Sequence, residues 1–256
     1  MRPQSLEEAW ELNQKKRNRV VAGMMWLKMG THSFNTAIDL CDLGLDAIEE
    51  TEDEFRIGAM ATLRQIEKHP GLDVYSCGAV KAALRDIVGV QFRNGATLGG
   101  SLWRRMGFSD VVAIFLAMDS SVELFKGGVV PLEEFARMPY DNDILVRLIV
   151  KKRPGSFAYQ AVRKQRTDLP TLNCAAAKVG EEYRVVVGSR PARAMLLRDE
   201  RGILADGITE ESAAAFADYA AGAVPVSGNM WGSAEYRRAL VPVLVRRTLL
   251  ALGEVR

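Results

Sequence analysis

The glycine pair Gly99-Gly100 constrains this chain more than any other feature of its sequence. The pair follows an apolar run that contains Thr97 and precedes a polar segment that starts at Ser101. Adjacent glycines can adopt positive φ without a Cβ clash, so successive backbone N–H groups can point into one concavity that suits phosphate oxygens. A glycine pair is also typical of a tight turn between two elements. The pair alone therefore predicts either an anion site or a simple turn.

The charge pattern predicts neither a nucleic-acid partner nor a membrane partner. The sequence has 34 Lys and Arg against 32 Asp and Glu, a formal charge of +2, and the two signs are interspersed. The pairs Arg237-Arg238 and Arg246-Arg247 fall on opposite sides of a predicted helix, so we expect them to be solvated or in subunit contacts. No run of about 18 apolar residues and no N-terminal leader is evident, which predicts a cytoplasmic protein.

Cysteines and histidines are few and scattered. Cys41, Cys77 and Cys174 form no C-x-x-C pair, and their odd number suits a reducing compartment. Three thiols cannot hold an iron–sulfur cluster, which takes four thiolates. His32 and His69 have no second ligand at metal spacing. We therefore expect no metal site and no Ser-His-Asp or Cys-His catalytic set.

Hydrophobic periodicity and turn residues predict a mixture of helices and strands in an α+β layout. Ser5 and Glu8 have the spacing of a capping box and predict a helix that ends near Lys16. The last helix is expected to kink at Pro242 and to have its apolar positions at helical spacing, namely Tyr236, Leu240, Val243, Leu244 and Ala251. That last helix is predicted at 233–252, and the other helices at 62–68, 74–88 and 210–221. The strand-like runs at 121–125 and 129–130 predict a hairpin, because Gly127-Gly128 between them can supply the positive φ of its turn. The other strands are predicted at 19–22, 36–40, 55–57, 144–150, 157–163, 172–178, 183–187 and 192–197.

Four segments, in a fixed order, resemble the FAD-binding subunits of the molybdenum hydroxylases, the xanthine dehydrogenase and carbon monoxide dehydrogenase medium-subunit family. Residues 57–63 resemble its I-G-A-x-x-T-L segment, and residues 93–101 resemble R-N-x-A-T-I-G-G-N. Ser109-Asp110 is similar to a polar element of that family, and residues 232–238 resemble its G-S-A-x-Y-R signature. The segments extend over nearly the whole chain.

The resemblance implies an α+β fold with two domains. Residues 1–155 would form a two-lobed FAD-binding domain of the PCMH type, which is related to vanillyl-alcohol oxidase, with lobes at about 1–53 and 54–155. Residues 156–256 would form the C-terminal α+β domain of the medium-subunit family, an antiparallel sheet with helices.

The resemblance also implies two backbone loops that hold FAD between the lobes. In the second loop, N–H groups and the hydroxyls of Thr97 and Ser101 are expected to meet pyrophosphate or ribityl oxygens. Ser109 and Asp110 would contact the sugar chain of the flavin, although they could equally cap the helix that starts at Val111, and both roles can coexist. The second-loop carry-over consists of Ala96, Thr97, Leu98, Gly99, Gly100 and Ser101.

The first loop departs from the A-G-G-T-D pattern of the family. It keeps Gly23 but has Met24, Met25 and Trp26 at the next positions. Backbone N–H donors do not depend on side chains, so the loop can still bind pyrophosphate if its dihedrals need no second glycine. Alternatively, these side chains fill the interface between the lobes. Lys28 is either a phosphate counter-charge or a solvated lysine, and the residues carried over are Val21, Ala22, Gly23, Met24, Met25, Trp26 and Leu27.

Two further positions follow from the resemblance. Leu145 aligns with an aliphatic residue near the reactive face of the isoalloxazine ring, although an ordinary core position is the alternative. Residues Tyr159, Gln160, Arg163 and Lys164 would approach the flavin from the C-terminal side, in roles that the sequence leaves open.

The resemblance implies an electron-transfer subunit. It would pass electrons from a [2Fe–2S] small subunit through FAD to NAD⁺ or another acceptor, while a molybdopterin-binding large subunit hydroxylates the substrate. A structural or assembly subunit with weakened FAD binding is the alternative, because of the altered first loop. A self-standing flavin oxidase is a third hypothesis, against which the 256-residue length argues.

Overall fold

The computed structural model describes residues 1–31 and 33–255 of the chain, so His32 lies outside the described residues. The helices are α1 (Leu6–Asn13), α2 (Leu63–Lys68), α3 (Pro70–Tyr75), α4 (Ala79–Leu84), α5 (Val90–Gly95), α6 (Leu98–Trp103), α7 (Asp110–Ala117), α8 (Leu132–Phe135), α9 (Glu210–Ala223) and α10 (Ala234–Glu254). The strands are β1 (Asn18–Val21), β2 (Thr36–Asp39), β3 (Ile48–Glu50), β4 (Glu54–Gly58), β5 (Ser121–Leu124), β6 (Gly128–Pro131), β7 (Leu145–Lys151), β8 (Gly155–Val162), β9 (Leu172–Val179), β10 (Glu182–Gly188) and β11 (Met195–Arg198).

The strands form three sheets. Strands β1 and β2 make a parallel pair, and the second sheet has the antiparallel order β3-β4-β7-β5-β6. The third sheet is antiparallel, in the order β11-β10-β9-β8. The predicted α+β class is confirmed.

Local signals at the N-terminus explain where α1 begins. The Ser5 hydroxyl accepts a hydrogen bond from the Glu8 N–H at 3.1 Å, as an N-cap should. The Glu8 carboxylate turns to the Gln4 N–H instead of completing the reciprocal capping box at Ser5. The helix ends at Asn13 rather than near Lys16.

The single helix predicted over 74–88 is wrong, because the structure has α3 and α4 in that region. Cys77 (φ 52°) and Gly78 (φ 79°) are both in the left-handed region, which a right-handed helix cannot include. The predicted hairpin at β5 and β6 is confirmed, and Gly128 supplies the positive φ (68°) of its turn.

Helix α7 packs on β9 and β10 of the third sheet and contributes to a core that the second and third sheets share. All eight of its residues are buried. Its apolar side chains share one core with Phe55 and Val122 of the second sheet and with Ala175 and Val186 of the third. None of the helices among the described residues is long and apolar enough to cross a membrane.

Helices α9 and α10 cover the other face of the third sheet, around Phe216 and Leu249. The apolar positions predicted for α10 are only partly buried, since Leu244 is 3% exposed whereas Tyr236 and Val243 are 49% and 44% exposed. Arg237, expected at a solvated or subunit-contact position, is 1% exposed. Pro242 does lie inside α10.

Candidate cofactor site

The connection after β1, residues 22–27, packs directly on the end of α5. A Cβ placed on Gly23 would lie 1.5 Å from the carbonyl oxygen of Gly95, and a Cβ on Gly95 would lie 2.1 Å from Met25 Cε. The two segments therefore approach closer than side chains at either glycine would allow. Gly23 is required for this close approach, and its φ is not positive.

Met24 adopts a backbone conformation that glycine ordinarily supplies. Its φ is 55°, in the left-handed region, and its side chain is 37% exposed. A non-glycine residue in this region costs about 1–2 kcal/mol. The loop thus adopts a left-handed position at Met24 without a second glycine. Strain of this kind concentrates at ligand-binding segments.

The first loop carries a row of free backbone donors. The N–H groups of Gly23, Met24, Met25 and Trp26 donate to no acceptor within the described part of the chain. The turn that follows uses a carbonyl of this loop and none of its N–H groups, since the Lys28 N–H donates to the Met24 carbonyl oxygen at 3.2 Å. Successive N–H groups around a left-handed residue form the concavity that binds anions in proteins.

In the second loop, by contrast, the backbone N–H groups of residues 98–101 are already used. The N–H groups of Leu98 and Gly99 donate to the carbonyls of Ala61 and Ala59, at 2.9 and 2.7 Å. The Gly100 N–H donates to Thr97 Oγ1 at 3.2 Å. The Ser101 N–H and hydroxyl both donate to the Thr97 carbonyl, at 3.1 and 2.9 Å.

Gly99 and Gly100 lie in the first turn of α6, and neither has positive φ, so both the positive-φ prediction and the tight-turn alternative are wrong. The physical reason is that Thr97 caps a helix there. Gly99 is still required, because a Cβ on it would lie 2.8 Å from the Ala59 oxygen. A Cβ on Gly100 would meet only Thr97 Oγ1, at 3.3 Å.

Ser109 and Asp110 begin α7. The Ser109 hydroxyl accepts from the Val112 N–H at 3.2 Å, so the capping alternative is present. The helix starts at Asp110, one residue earlier than expected. Asp110 is 5% exposed. Its carboxylate accepts from the Tyr159 hydroxyl and from Arg163 Nη2 and Asn173 Nδ2, the latter two at 2.9 Å.

This buried cluster joins α7 to the third sheet. Burial, and next the negative charge of Asp110, raise the pKa of Tyr159 well above its usual value, so the phenol stays protonated. Two of the residues expected to approach the flavin, Tyr159 and Arg163, are thus brought to Asp110. The other two lie apart: Gln160 donates to the Arg247 carbonyl, and Lys164 donates to the Met230 carbonyl at 3.1 Å.

Leu145 lies in β7, is 5% exposed and belongs to the core shared with α7. Its neighbour Ile144 faces a separate small core beneath α1. The structure therefore gives Leu145 the surroundings of a core residue. No group of three or more His, Cys, Asp or Glu side chains in the described ranges could hold a metal ion.

Beside the first loop, four connections enclose a cleft of about 260 Å³. The rings of Trp26 and Phe108 stand 5.8 Å apart at 46°, so the first loop reaches the rim of this cleft. Sequence reasoning missed most of the lining, because it comes from connections distant in sequence; only the Arg237 segment carried a signal, as part of the G-S-A-x-Y-R signature. The lining includes Phe108, Leu169, Pro170, Ser189, Trp231 and Arg237.

Comparison with known proteins identifies this arrangement. Residues 1–152 match the family model described as the FAD binding domain in molybdopterin dehydrogenase. The chain belongs to this flavoprotein family. Residues 157–252 of the flavoprotein match the C-terminal domain of CO dehydrogenase flavoprotein. The resemblance seen in four sequence segments is confirmed, together with FAD as the cofactor and an oxidoreductase subunit as the class of protein.

Relatives match over nearly their whole length. The nicotine 6-hydroxylase medium subunit of Paenarthrobacter nicotinovorans is 27% identical over 273 residues, covering 98% of this flavoprotein and 95% of the relative. The uncharacterized protein YgfM of Escherichia coli (strain K12) is 26% identical over 253 residues, covering 95% and 92%.

Solved structures share the fold. Carbon monoxide dehydrogenase from Hydrogenophaga pseudoflava superposes with a TM-score of 0.86 at 23% identity, covering 98% of this flavoprotein and 95% of that chain. Reconstituted CO dehydrogenase from Oligotropha carboxidovorans gives a TM-score of 0.87 at 20% identity, covering 100% and 97%. The predicted fold, an FAD-binding domain followed by a C-terminal α+β domain, is confirmed.

Proposed function

We propose that this flavoprotein is the electron-transfer subunit of a cytoplasmic molybdenum hydroxylase of the xanthine dehydrogenase type. It would take electrons from a [2Fe–2S] small subunit and pass them through FAD to NAD⁺. A molybdopterin-binding large subunit would oxidise the substrate. Two supports are the family membership and the similarity to a protein named as the medium subunit of a hydroxylase.

One observation carries the proposal: the free N–H groups of residues 23–26 around the left-handed Met24. A pyrophosphate needs several donors at once, and hydrogen bonds from backbone N–H groups to a charged acceptor contribute about 1.5–3 kcal/mol each. We assign the pyrophosphate of FAD to this loop. Lys28 is exposed one turn away, where its charge can attract the phosphates.

The other assigned residues would position the flavin along the contact between the loops. The side chains of Trp26 and Phe108 offer aromatic surface at the rim of the cleft, which suits the flat ring. FAD supplies the redox chemistry when bound, while the chain orients it and limits water around it. The proposed binding set is Val21, Ala22, Gly23, Met24, Met25, Trp26, Leu27, Ala96, Thr97, Gly99, Gly100, Ser101, Ser109, Asp110 and Leu145.

We also propose the division into domains at 1–155 and 156–256, with lobes at about 1–53 and 54–155. Support comes from the sheets, since the second sheet ends at Lys151 and the third begins at Gly155. Strand β3 lies before residue 53 in the chain, yet it pairs with β4 in the second sheet. The two lobes thus share a strand pairing.

The structural-subunit alternative depended on the altered first loop. The three substituted side chains leave the backbone donors free and preserve the left-handed residue, so this loop argues for FAD binding rather than against it. The self-standing oxidase remains the third hypothesis, and it is distinguished by its partners.

The test is an affinity pull-down of the tagged chain from its native host, followed by metal and flavin analysis. We expect iron, molybdenum and one FAD per chain, with FAD released on denaturation because it is not covalently attached. Anaerobic NADH should bleach the flavin if NAD⁺ is the acceptor. A complex with both metals but no flavin would support the structural subunit. A lone monomer whose flavin oxidises an added organic substrate would support the oxidase.

A further inference from the structure

A buried hydroxyl on the wall of the cleft lacks a partner. Ser189, just after β10, is 4% exposed, and its Oγ has no hydrogen-bond partner in the described part of the chain. Its φ is 59°, in the left-handed region, and its N–H donates to the Gly107 carbonyl at 2.7 Å. A buried, unpaired hydroxyl and a left-handed serine are both unfavourable. Together they indicate that the Ser189 hydroxyl donates to a ligand when one is bound.

A second group on the same wall is a buried guanidinium that faces no carboxylate among residues 1–31 and 33–255. Arg237 Nε donates to the Thr171 carbonyl at 2.8 Å, and Nη1 donates to the carbonyls of Ser227 and Gly232 at 2.9 and 2.6 Å. Its Nη2 donates to Asn229 Oδ1 at 2.6 Å. All four acceptors are neutral, and a guanidinium does not lose its proton in proteins. A fixed positive charge therefore stands at the cleft.

The other deeply buried arginines of the described residues are accounted for differently. Arg93 faces Glu67, Arg163 faces Asp110, and Arg184 faces Asp119 and Glu182. Arg105 lies against the rings of Phe135, Trp103 and Tyr140 instead. Arg237 combines burial, neutral acceptors and a place in the cleft wall.

The rest of the cleft is largely apolar. Phe108, Leu169, Pro170 and Trp231 line it. A site with apolar surfaces and one polar edge suits a planar heteroaromatic ring that accepts hydrogen bonds at that edge. A fixed positive charge further favours a ring that gains negative charge.

We propose that Ser189 donates a hydrogen bond to the carbonyl-bearing edge of the flavin ring, and that Arg237 shifts the flavin toward its reduced form. This inference rests on the proposed FAD function. A flavin ring that received two electrons from the proposed [2Fe–2S] subunit and one proton from water would carry one net negative charge. The positive charge of Arg237 would favour that ring over the neutral one, which would raise the midpoint potential.

Ser189→Ala tests the hydrogen bond in the whole chain. We expect FAD to bind about tenfold more weakly, since one hydrogen bond is lost. The apo chain should be no less stable, because the variant removes an unpaired hydroxyl. Ser189→Gly should lose the same affinity while gaining apo stability, since glycine relieves the positive φ. Unchanged FAD affinity in Ser189→Ala would overturn this half of the inference.

Arg237→Gln and Arg237→Lys test the charge, by anaerobic dithionite titration of the FAD-loaded chain against a reference dye. A tenfold loss of preference for reduced FAD lowers a two-electron potential by about 30 mV, and we expect at least this in Arg237→Gln. In Arg237→Lys the midpoint potential of the flavin should stay close to the wild-type value, because the positive charge is kept. A purely structural role of Arg237 would not predict this difference between the two variants. Arg246→Gln, exposed on the same helix, is the matched control.

The outcomes separate this inference from the proposed function. A wild-type chain that takes up no FAD contradicts the function itself. A wild-type chain that binds FAD, with an unchanged potential in Arg237→Gln, contradicts only the role of the charge. If the Arg237 variants do not fold, the Ser189 pair still decides whether this wall contacts the flavin.

Discussion

The contact between Gly23 and Gly95 provides the sharpest mutational prediction, because backbone atoms, unlike side chains, cannot relieve a clash by changing rotamer. In Gly23→Ala the new Cβ would begin 1.5 Å from the Gly95 oxygen and 2.4 Å from its carbonyl carbon. Ordinary contact starts at 3.4 Å, so the first loop must move by about 1.9 Å. That displacement exceeds the tolerance of a hydrogen bond.

The magnitude follows from the donors that this movement displaces. If two of the four free N–H groups lose the pyrophosphate, FAD binding weakens by about 3 kcal/mol, or about 100-fold. Overpacking at the Gly95 contact should also lower the free energy of unfolding by about 1–3 kcal/mol. Both effects originate in the loop, so the secondary structure of the rest of the chain should be retained.

The assay is an equilibrium titration of apo chain with FAD, followed by flavin absorbance, together with thermal unfolding by circular dichroism. Gly99→Ala should be intermediate, because its Cβ would lie 2.8 Å from the Ala59 oxygen. Gly100→Ala meets only Thr97 Oγ1 at 3.3 Å and should bind FAD almost normally. Gly222→Ala in α9 meets nothing within 4 Å and is the neutral control.

Wild-type FAD affinity in Gly23→Ala would refute the reasoning, since it would show that this loop does not hold the cofactor. A uniform loss across Gly23, Gly99 and Gly100 variants would refute it as well. That pattern would indicate that Gly99-Gly100, rather than the first loop, holds the phosphates.

Three further predictions concern strain, buried charge and pH. Met24→Gly should raise the free energy of unfolding by about 1 kcal/mol and keep FAD affinity, because glycine tolerates φ 55°; a lower melting temperature would contradict this. Asp110→Asn leaves the Arg163 charge buried without its carboxylate and should cost about 3–5 kcal/mol in urea unfolding, so a loss under 1 kcal/mol would count against the cluster. Burial raises the pKa of Cys174 from 9.0 to about 12. The folded chain therefore holds this proton more tightly, and its contribution to stability, complete below pH 9, should be lost as pH rises from 9 to 12, at up to about 1.4 kcal/mol per pH unit. The measurement is the free energy of unfolding as a function of pH, in the wild-type chain and in Cys174→Ala. Equal slopes of these two curves between pH 9 and 12 would contradict the prediction.

Local sequence signals predicted much of the fold. Ser5 predicted the start of α1 and caps that helix, and Gly128 supplies the turn of the predicted hairpin. The predicted helix at 74–88 was wrong because left-handed residues interrupt a continuous apolar pattern there. At Cys77-Gly78 the helical periodicity continues in sequence, but two left-handed residues end the helix.

The site was less predictable than the fold, because its decisive features depend on distant neighbours. The second loop matches the family best, yet the N–H groups of Leu98 and Gly99 already donate to the carbonyls of Ala61 and Ala59. The first loop matches poorly in side chains but leaves its N–H groups free, and side-chain letters do not report backbone dihedrals. Likewise Arg237 looks like a surface residue, although carbonyls such as that of Thr171, 66 residues away, surround it.

The central claim is that the first loop binds the pyrophosphate of FAD, and a paired titration tests it most directly. Apo chain is titrated with FAD and, separately, with riboflavin, which has the same ring but no phosphate. We expect one FAD per chain and riboflavin affinity at least about 100-fold weaker, since the N–H groups of residues 23–26 would have no anion to bind. No uptake of FAD, or equal affinity for the two ligands, would contradict it.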